Sequence, residues 1–586
     1  LLYISLMFYG ALQVGVKIFK VHDNLLATIV GLVAYVLTFI IISLATNVSI
    51  GFYGTLAIFL VAGLYHKSIV TPVKISLRAL NIFDWTLLGI VIIFGSLPQL
   101  HWDAVMANLY IAKWYVESNS LAPIAEALTS LFPQNAITYF AVFYKAGGLK
   151  MLQLAYLLPF LFSLLMIKKI ISHFNISTIG KVIFYLSCMT PIVIFQATNG
   201  YYDNLVAMLM LSATYLLFYE NGTSLVARTL ASSLLIGFAA GSKYFPLVMS
   251  PIPLILYLTK ISKIKRSWIF TLALAVLPLA PISIWFIRAY VTTSSPVFPF
   301  FQNVFPTPLF WDPTDALEGN FMIQTTMSLS EWIRGGLFTY PFKSFLHSNQ
   351  FIEGTKGYPG LLYALIMPIQ LLLLGHSLTS FIRTRKLART QWAFLVAFGM
   401  YGVVGLAVRY YRYIWPFQFI LLITSIPVLE HILQNRRRLQ LGVSIALLIL
   451  IPVHFVNLIE YYRYYPLDKS KVLRSDYYLK NSTDKTPYAF VNANSQKEDV
   501  ILDSSHFPVH RLHILPRVYQ CSWYWTNWKN STKNHEFVDR FQLIIADDPV
   551  ENTGTYCGPA IKEAVISGEI RQVYQDGTYS IYEKTQ

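Results

Sequence analysis

The chain has 586 residues, is 55 % hydrophobic and only 13 % charged, and has a mean hydropathy of +0.51. Soluble domains carry roughly a quarter charged residues, so this composition excludes a soluble globular protein and marks a polytopic α-helical membrane protein. The net charge of +16 is gathered in short loops between apolar runs, which argues against a nucleic-acid partner and for loops held on the cytoplasmic face of a membrane.

A bilayer is crossed by roughly 17–25 apolar residues. In chain order the candidate runs are 2–16, 27–46, 50–65, 84–100, 149–167, 180–197, 204–219, 226–241, 244–259, 268–290, 359–378, 391–407, 413–431 and 439–457, about fourteen helices in all. The first run leads into further spans and not to a cleavage site, so it is not a signal peptide. The chain begins with Leu1, which leaves room for residues upstream.

Loop charges test the count. Lys17 and Lys20 follow the first run, and His66, Lys67, Lys74 and Arg78 follow the third. Lys168, Lys169 and Lys181 flank the loop after the fifth. Lys260, Lys263, Lys265 and Arg266 follow the ninth; Arg383, Arg385, Lys386 and Arg389 the eleventh; Arg436, Arg437 and Arg438 the thirteenth. If every run crosses, all these loops share the cytoplasmic face. Only the loop near Glu220 to Arg228 is weakly charged. The opposite face then receives 101–148, the turn Gln196 to Asp203, the turn at Lys243, the loop 291–357, Arg409 to Arg412 and the tail.

The tail changes character after Tyr461-Tyr462-Arg463. Its apolar runs shorten to strand length at Tyr488 to Val491, Val500 to Leu502, Leu543 to Ile545, Gln572 to Tyr574 and Tyr579 to Tyr582, with a helix-like stretch at Ala560 to Ile566. That pattern suits a small α/β domain with a mostly parallel sheet and a final hairpin around Gln575-Asp576-Gly577. Cys521 and Cys557 in the tail could form a disulfide in an oxidising compartment, whereas Cys188 lies in an apolar run. His506, His510 and His513 are close in sequence, but a strand would point them apart, and ordinary histidines outweigh a metal site there.

Chemistry is expected where charge meets the membrane edge. His101-Trp102-Asp103 follows the run that ends at Leu100, and Ala104 to Tyr115 reads as an amphipathic helix lying on the membrane surface. Asp103 could simply cap that helix. Asp203, in Gly200-Tyr201-Tyr202-Asp203, again sits at the start of an apolar helix on the same face. Two such carboxylates could act as base and orienter, or hold a divalent cation. Lys243, Arg288, Arg409 and Arg412 break the inside-positive trend. Each could snorkel to lipid phosphates, but together they suit a phosphate or pyrophosphate headgroup. The loop 291–357 is apolar and aromatic, which reads as a partly embedded cover with Asp312, Asp315 and Glu331 as weaker candidates.

The order of these segments resembles the GT-C superfamily of membrane glycosyltransferases, particularly bacterial relatives of glycosyltransferase family 39, the protein O-mannosyltransferases and the aminoarabinose transferases. The resemblance rests on Asp103 to Leu121 after a span, Pro133-Gln134-Asn135, Tyr202-Asp203 and Gly241-Ser242-Lys243-Tyr244. It continues through Trp285 to Phe301, Gly357-Tyr358-Pro359-Gly360, Arg412-Tyr413 with Pro416, and Ile514-Leu515-Pro516-Arg517. It implies transfer of a sugar from a polyprenyl-phosphate donor to a lipid, glycan or protein acceptor on the extracytoplasmic face of the inner membrane. Asp103 would be the catalytic base or acceptor binder and Asp203 its assistant; Lys243, Arg288, Arg409 and Arg412 would hold the donor phosphate. His101, Asn108, Tyr110, Tyr202 and Tyr244 would contact substrate. Relatives often have Tyr-His four and five positions after the first Asp; here Ala107 and Asn108 stand there, with Tyr110 or His101 as replacements.

The same resemblance divides the chain into added N-terminal membrane helices (1–83), a GT-C-like core (84–459) with outer loops 101–148 and 291–357, and an extracytoplasmic α/β domain (460–586). Two rival readings start from the same residues. A lipid-linked glycan transporter or flippase would need polar groups along a path inside the spans, and an O-antigen ligase or polymerase would centre on arginines and a large outer loop.

Overall fold

In the computed structural model the described residues are chiefly 2–65, 80–96, 104–124, 128–174, 176–244, 267–298, 361–407, 411–433 and 440–453, then 487–496, 499–503, 517–520, 541–547, 558–575 and 579–585, with isolated gaps and a few single residues between. The helices are α1 (Leu2–Lys17), α2 (Asn24–Ala45), α3 (Val48–Tyr65), α4 (Ile82–Ser96), α5 (Leu109–Glu117), α6 (Asn135–His173), α7 (Thr178–Cys188), α8 (Pro191–Thr198), α9 (Asp203–Phe218) and α10 (Leu225–Ala240). They continue with α11 (Trp268–Val276), α12 (Ala280–Thr293), α13 (Leu361–Thr384), α14 (Arg389–Ala407) and α15 (Tyr411–Leu433).

The bundle is built around α9. All sixteen of its residues are buried, and it packs against α6, α8, α10, α14 and α15. Burial on every side explains why its sequence, from Leu205 to Phe218, is apolar all round and not striped. Ser224, Ser177 and Asp23 cap α10, α7 and α2 with side-chain acceptors, which satisfies backbone N–H groups that the helices leave free. Helices α1, α2 and α3 pack on one another, and α2 also packs on α6 and α10.

Length and composition make five described helices able to cross a membrane: Asn24–Ala45, Asn135–His173, Trp268–Thr293, Leu362–Thr384 and Tyr413–Leu433. The pair α7 and α8, bent by 49° at its break, would be a sixth. Leu2–Lys17, Val48–Leu64, Ile82–Ser96, Asp203–Phe218, Leu225–Ala240 and Gln440–Val453 are shorter apolar helices. Fourteen crossings therefore remain an expectation that needs these short helices to span as well. Run 244–259 lies almost wholly outside the described residues.

Two lysines counted as loop charges are not free. Lys168 pairs with Asp84, which is fully buried, and Lys169 pairs with Asp23. Lys17 is buried too, its Nζ donating to Gly63 O at 2.6 Å.

The C-terminal part holds a mixed five-stranded sheet: β1 (Val500–Asp503), β2 (Arg517–Gln520), β3 (Leu543–Asp547), β4 (Ile570–Gln575) and β5 (Tyr579–Lys584). The strand order is β2-β1-β3-β5-β4; β1 runs parallel to β2 and β3, while β5 is antiparallel to β3 and β4. Ile501, Leu543, Ile545 and Ile581 form its core with Val491. One expectation fails: Tyr488 to Val491 belongs to a helix, α16 (Pro487–Asn494), not a strand. Pro487 is placed to open it, since the first turn needs no N–H from that residue, and β-favouring side chains yield to packing of Val491 against the sheet. α17 (Gly558–Ser567) precedes β4.

Candidate active site at the start of the central helix

Asp203 is the first residue of α9 and is buried. It does not cap the helix: the N-cap residue is Tyr202, with no side-chain cap hydrogen bond. Its carboxylate faces Lys243 instead, with Oδ1 3.5 Å from Nζ, while Oδ2 is buried without a hydrogen-bond donor among the described residues. Lys243 Nζ also lies 3.7 Å from the centre of the Tyr413 ring and 5.1 Å from that of Tyr202. An ammonium over aromatic faces gains about 0.5–2 kcal/mol, more as water is removed. The site is thus a cation held by one carboxylate and two aromatic walls, at the meeting of α9, the end of α10 and the start of α15.

Glycine makes the two turns that carry it. Gly200 has φ +69, and a Cβ there would fall 2.7 Å from Leu109 Cδ1. The turn before α9 therefore closes onto the start of α5, and Asn108 Nδ2 donates to Gly200 O at 3.4 Å. On the other side, a Cβ at Gly241 would lie 2.2 Å from Asn135 Nδ2 and 2.9 Å from Pro281 O. Asn135 is the knot here. Its backbone N donates to Gly241 O at 2.9 Å, its Nδ2 to Phe238 O at 3.1 Å and Pro281 O at 3.4 Å, and its Oδ1 accepts from Trp285 Nε1 at 2.6 Å. One buried amide fixes the turn that presents Lys243.

Arg288 stands differently from expectation. Its Nη1 donates to Tyr115 Oη at 3.1 Å and Leu121 O at 2.7 Å, and its Nη2 to Ser130 O. The guanidinium lies over Trp285, 4.5 Å from the ring centre. Those two nitrogens serve Tyr115, Leu121 and Ser130, so Arg288 ties these residues together, and a donor-phosphate role for it stays an expectation. Tyr244 Oη donates to Phe298 O at 2.5 Å, and its ring stacks on Phe286.

A second correction concerns the segment after Asp103. Residues 104–108 form a π-helical turn leading into α5, and Leu109 to Tyr115 are all buried, Lys113 included. The helix is enclosed by protein and is not an amphipathic helix lying on lipid. Tyr110 stacks parallel to Trp114, and Lys113 is neutralised by Glu117 at 3.8 Å. Its polar interruptions are partnered inside the fold, which an alternation of residue types does not reveal.

The structure thus brings Asp203, Lys243 and Tyr202 together, with Asn108 one turn away. His101, Asp103 and Arg409 lie outside the described residues, and Arg412 is placed only as backbone in α15. Asp312, Asp315, Glu331, Cys521, Cys557, His506, His510 and His513 also lie outside them. Among the described residues no three His, Cys, Asp or Glu side chains converge on a metal position. Sequence reasoning missed Tyr413 and Asn135 as site-building residues. Both stand inside segments that carry the family resemblance, Arg412-Tyr413 and Pro133-Gln134-Asn135, but nothing in those segments marks either as part of the site.

No protein-family model matches the chain, and no curated protein matches it. Solved structures do. ArnT, the aminoarabinose transferase, from Cupriavidus metallidurans in the apo state is 13 % identical, with a TM-score of 0.51 over 86 % of this chain and 97 % of that one. ArnT bound to undecaprenyl phosphate gives the same score and coverage at 14 % identity. The archaeal oligosaccharyltransferase AglB from Archaeoglobus fulgidus, in complex with an inhibitory peptide and a dolichol-phosphate, is 10 % identical with a TM-score of 0.38, over 86 % of this chain and 74 % of that one. The chain shares the fold of ArnT.

Proposed function

We propose that the chain is a GT-C glycosyltransferase that moves a sugar from a polyprenyl-phosphate donor to an acceptor on the extracytoplasmic face of the inner membrane. The observation that carries this reading is the Asp203–Lys243 pair walled by Tyr202 and Tyr413, set in an ArnT-like fold. The solved ArnT complex contains undecaprenyl phosphate, a ligand of the lipid and charge class such a cation suits. In the reaction an acceptor hydroxyl attacks the anomeric carbon, the bond from that carbon to the phosphate oxygen breaks, and polyprenyl phosphate leaves. Negative charge grows on the leaving phosphate, so a fixed cation there stabilises the transition state more than the ground state.

Lys243 supplies that charge. Asp203 and the two rings hold its ammonium in place, which spares the reorganisation a free lysine would need. Asp103 takes the hydroxyl proton, Arg409 and Arg412 add to the phosphate site, and Asn108, Tyr110 and Tyr244 shape the substrate pocket. A divalent cation, if used, would rest on Asp103 and Asp203. Residues 84–459 form the catalytic core, 1–83 an added helical unit and 460–586 an extracytoplasmic domain.

Asp103→Asn tests the assignment on purified protein supplied with a panel of polyprenyl-phosphate sugars. Turnover should fall at least a hundredfold, the usual scale for loss of a positioned base, while undecaprenyl phosphate still binds. Unchanged turnover would remove Asp103 from the chemistry. Movement of intact donor across vesicles without cleavage would replace the enzyme by a transporter.

A further inference from the structure

Helix α3 begins at Val48, and its first backbone N–H groups need acceptors from elsewhere. Asn47 serves one, its Oδ1 accepting from Ile50 N at 2.9 Å. The next acceptors come from Asn119, which follows α5 and lies 70 residues from Ser49 in sequence. Val48 N donates to Asn119 O at 3.2 Å. Ser49 N and Ser49 Oγ both donate to Asn119 Oδ1 at 2.8 Å.

Asn119 is suited to this by its backbone. Its φ of +54 is left-handed, a conformation Asn tolerates better than most residues, and its own N–H returns to Val116 O at 3.2 Å. The carbonyl end of α5 thus meets the N–H end of α3, an arrangement in which the partial charges of the two helices attract. Two further contacts tighten the junction. Lys145 Nζ donates to Ser49 Oγ at 2.9 Å, and Tyr144 Oη donates to Glu117 Oε1 at 2.8 Å. Far along the chain from this junction, the same three-helix group is fixed by the Lys169–Asp23 pair and by His22 N donating to Thr223 Oγ1 at 3.3 Å.

The other end of α5 bears on the site. Leu109 fills the space where Gly200 lacks a Cβ, and Asn108 holds the Gly200 carbonyl. We infer that the N-terminal helices α1–α3 brace α5 from its far end, with Ser49 and Asn119 as positioning residues that keep Asn108 and Leu109 pressed against the Asp203 turn. This assigns a task to the N-terminal unit and rests on the reading of Asp203 and Lys243 given above.

The test compares the full-length wild type with Asn119→Gly, which keeps the left-handed backbone and its carbonyl but deletes the side-chain acceptor, and Asn119→Asp, which keeps all three. Amide exchange at residues 109–119 should quicken at least tenfold in Asn119→Gly and stay at the wild-type rate in Asn119→Asp, with exchange in α2 and the melting temperature unchanged. On whichever polyprenyl-phosphate sugar the wild type turns over, Asn119→Gly should lower kcat about tenfold at constant KM. Unaltered protection of α5 in Asn119→Gly would overturn the proposal. So would equal loosening of α2 and α5 with a lower melting temperature, which marks a structural tie only. A wild type that turns over no such sugar would sink the site assignment, while the exchange result would still decide whether the brace exists.

Discussion

Taking away Lys243 while leaving Asp203 strands a buried carboxylate that already has one oxygen without a donor among the described residues. Breaking a buried pair from one side costs about 3–5 kcal/mol, whereas replacing both members can be close to neutral. Lys243→Met should therefore lower thermal stability more than the double variant Asp203→Asn/Lys243→Met, a coupling that a double-mutant cycle read by chemical denaturation measures directly. Additive losses would show that the two side chains lie close without energetic coupling. Gly241 is a second point of sensitivity: Gly241→Ala would push on Asn135 Nδ2 from 2.2 Å. Overpacking of this kind costs about 1–3 kcal/mol, and it should also displace Lys243, so donor binding should weaken beyond what the stability loss explains. Asp203 and Lys243 were legible in the sequence because charges at a membrane edge are costly and need a reason to stay. Tyr413 was not, being one of 38 tyrosines in a chain full of interfacial aromatics. Asn135 was not, because an Asn at a helix start looks like an ordinary cap.

Among the elements, α6 shows how far hydrophobicity reads. The apolar run 149–167 begins just past a break where Gly147 has ψ 31 and Gly148 has φ +66, ψ −153. The stretch before the break belongs to the outer loop in sequence, yet it is helical from Asn135 and largely buried, with Tyr139 Oη tied across the bend to Ala155 O at 2.9 Å. The backbone of Gly148 lies in a region open almost only to glycine, so Gly148→Ala should destabilise by about 1–3 kcal/mol, visible as a lower melting temperature. No change would mean that the bend relaxes freely. Helix α5 was misread for a general reason: residue pattern distinguishes wet from dry faces, but Lys113, Asn108 and Glu117 find partners within the protein and so look solvent-facing without being so. In the C-terminal part the runs at 500–502, 543–545, 572–574 and 579–582 coincide with strands, whereas 488–491 does not. Three residues of high β propensity, Tyr488, Phe490 and Val491, cannot outweigh a helix that packs its Val491 into the sheet core.

For the whole molecule, the proposal that the Asp203–Lys243 site faces away from the cytoplasm rests on the basic loops, which would lie on the cytoplasmic side. A cysteine placed at Arg385 should react with a membrane-impermeant thiol reagent only from the cytoplasmic side, and one at Glu569 only from the other. Labelling of both from one side would reverse the topology on which the extracytoplasmic assignment stands. The ArnT-like fold was legible from the order of the segments along the chain. The packing of α1–α3 onto α5 was not, since it depends on one asparagine far away in sequence. The most direct measurement is the affinity for undecaprenyl phosphate in lipid nanodiscs, for the wild type, for Lys243→Gln and for the charge-free Asp203→Asn/Lys243→Met pair. A charge-assisted contact is worth about 1.5–3 kcal/mol, so both variants should bind at least tenfold more weakly while remaining folded. Equal affinity in all three proteins would contradict the account.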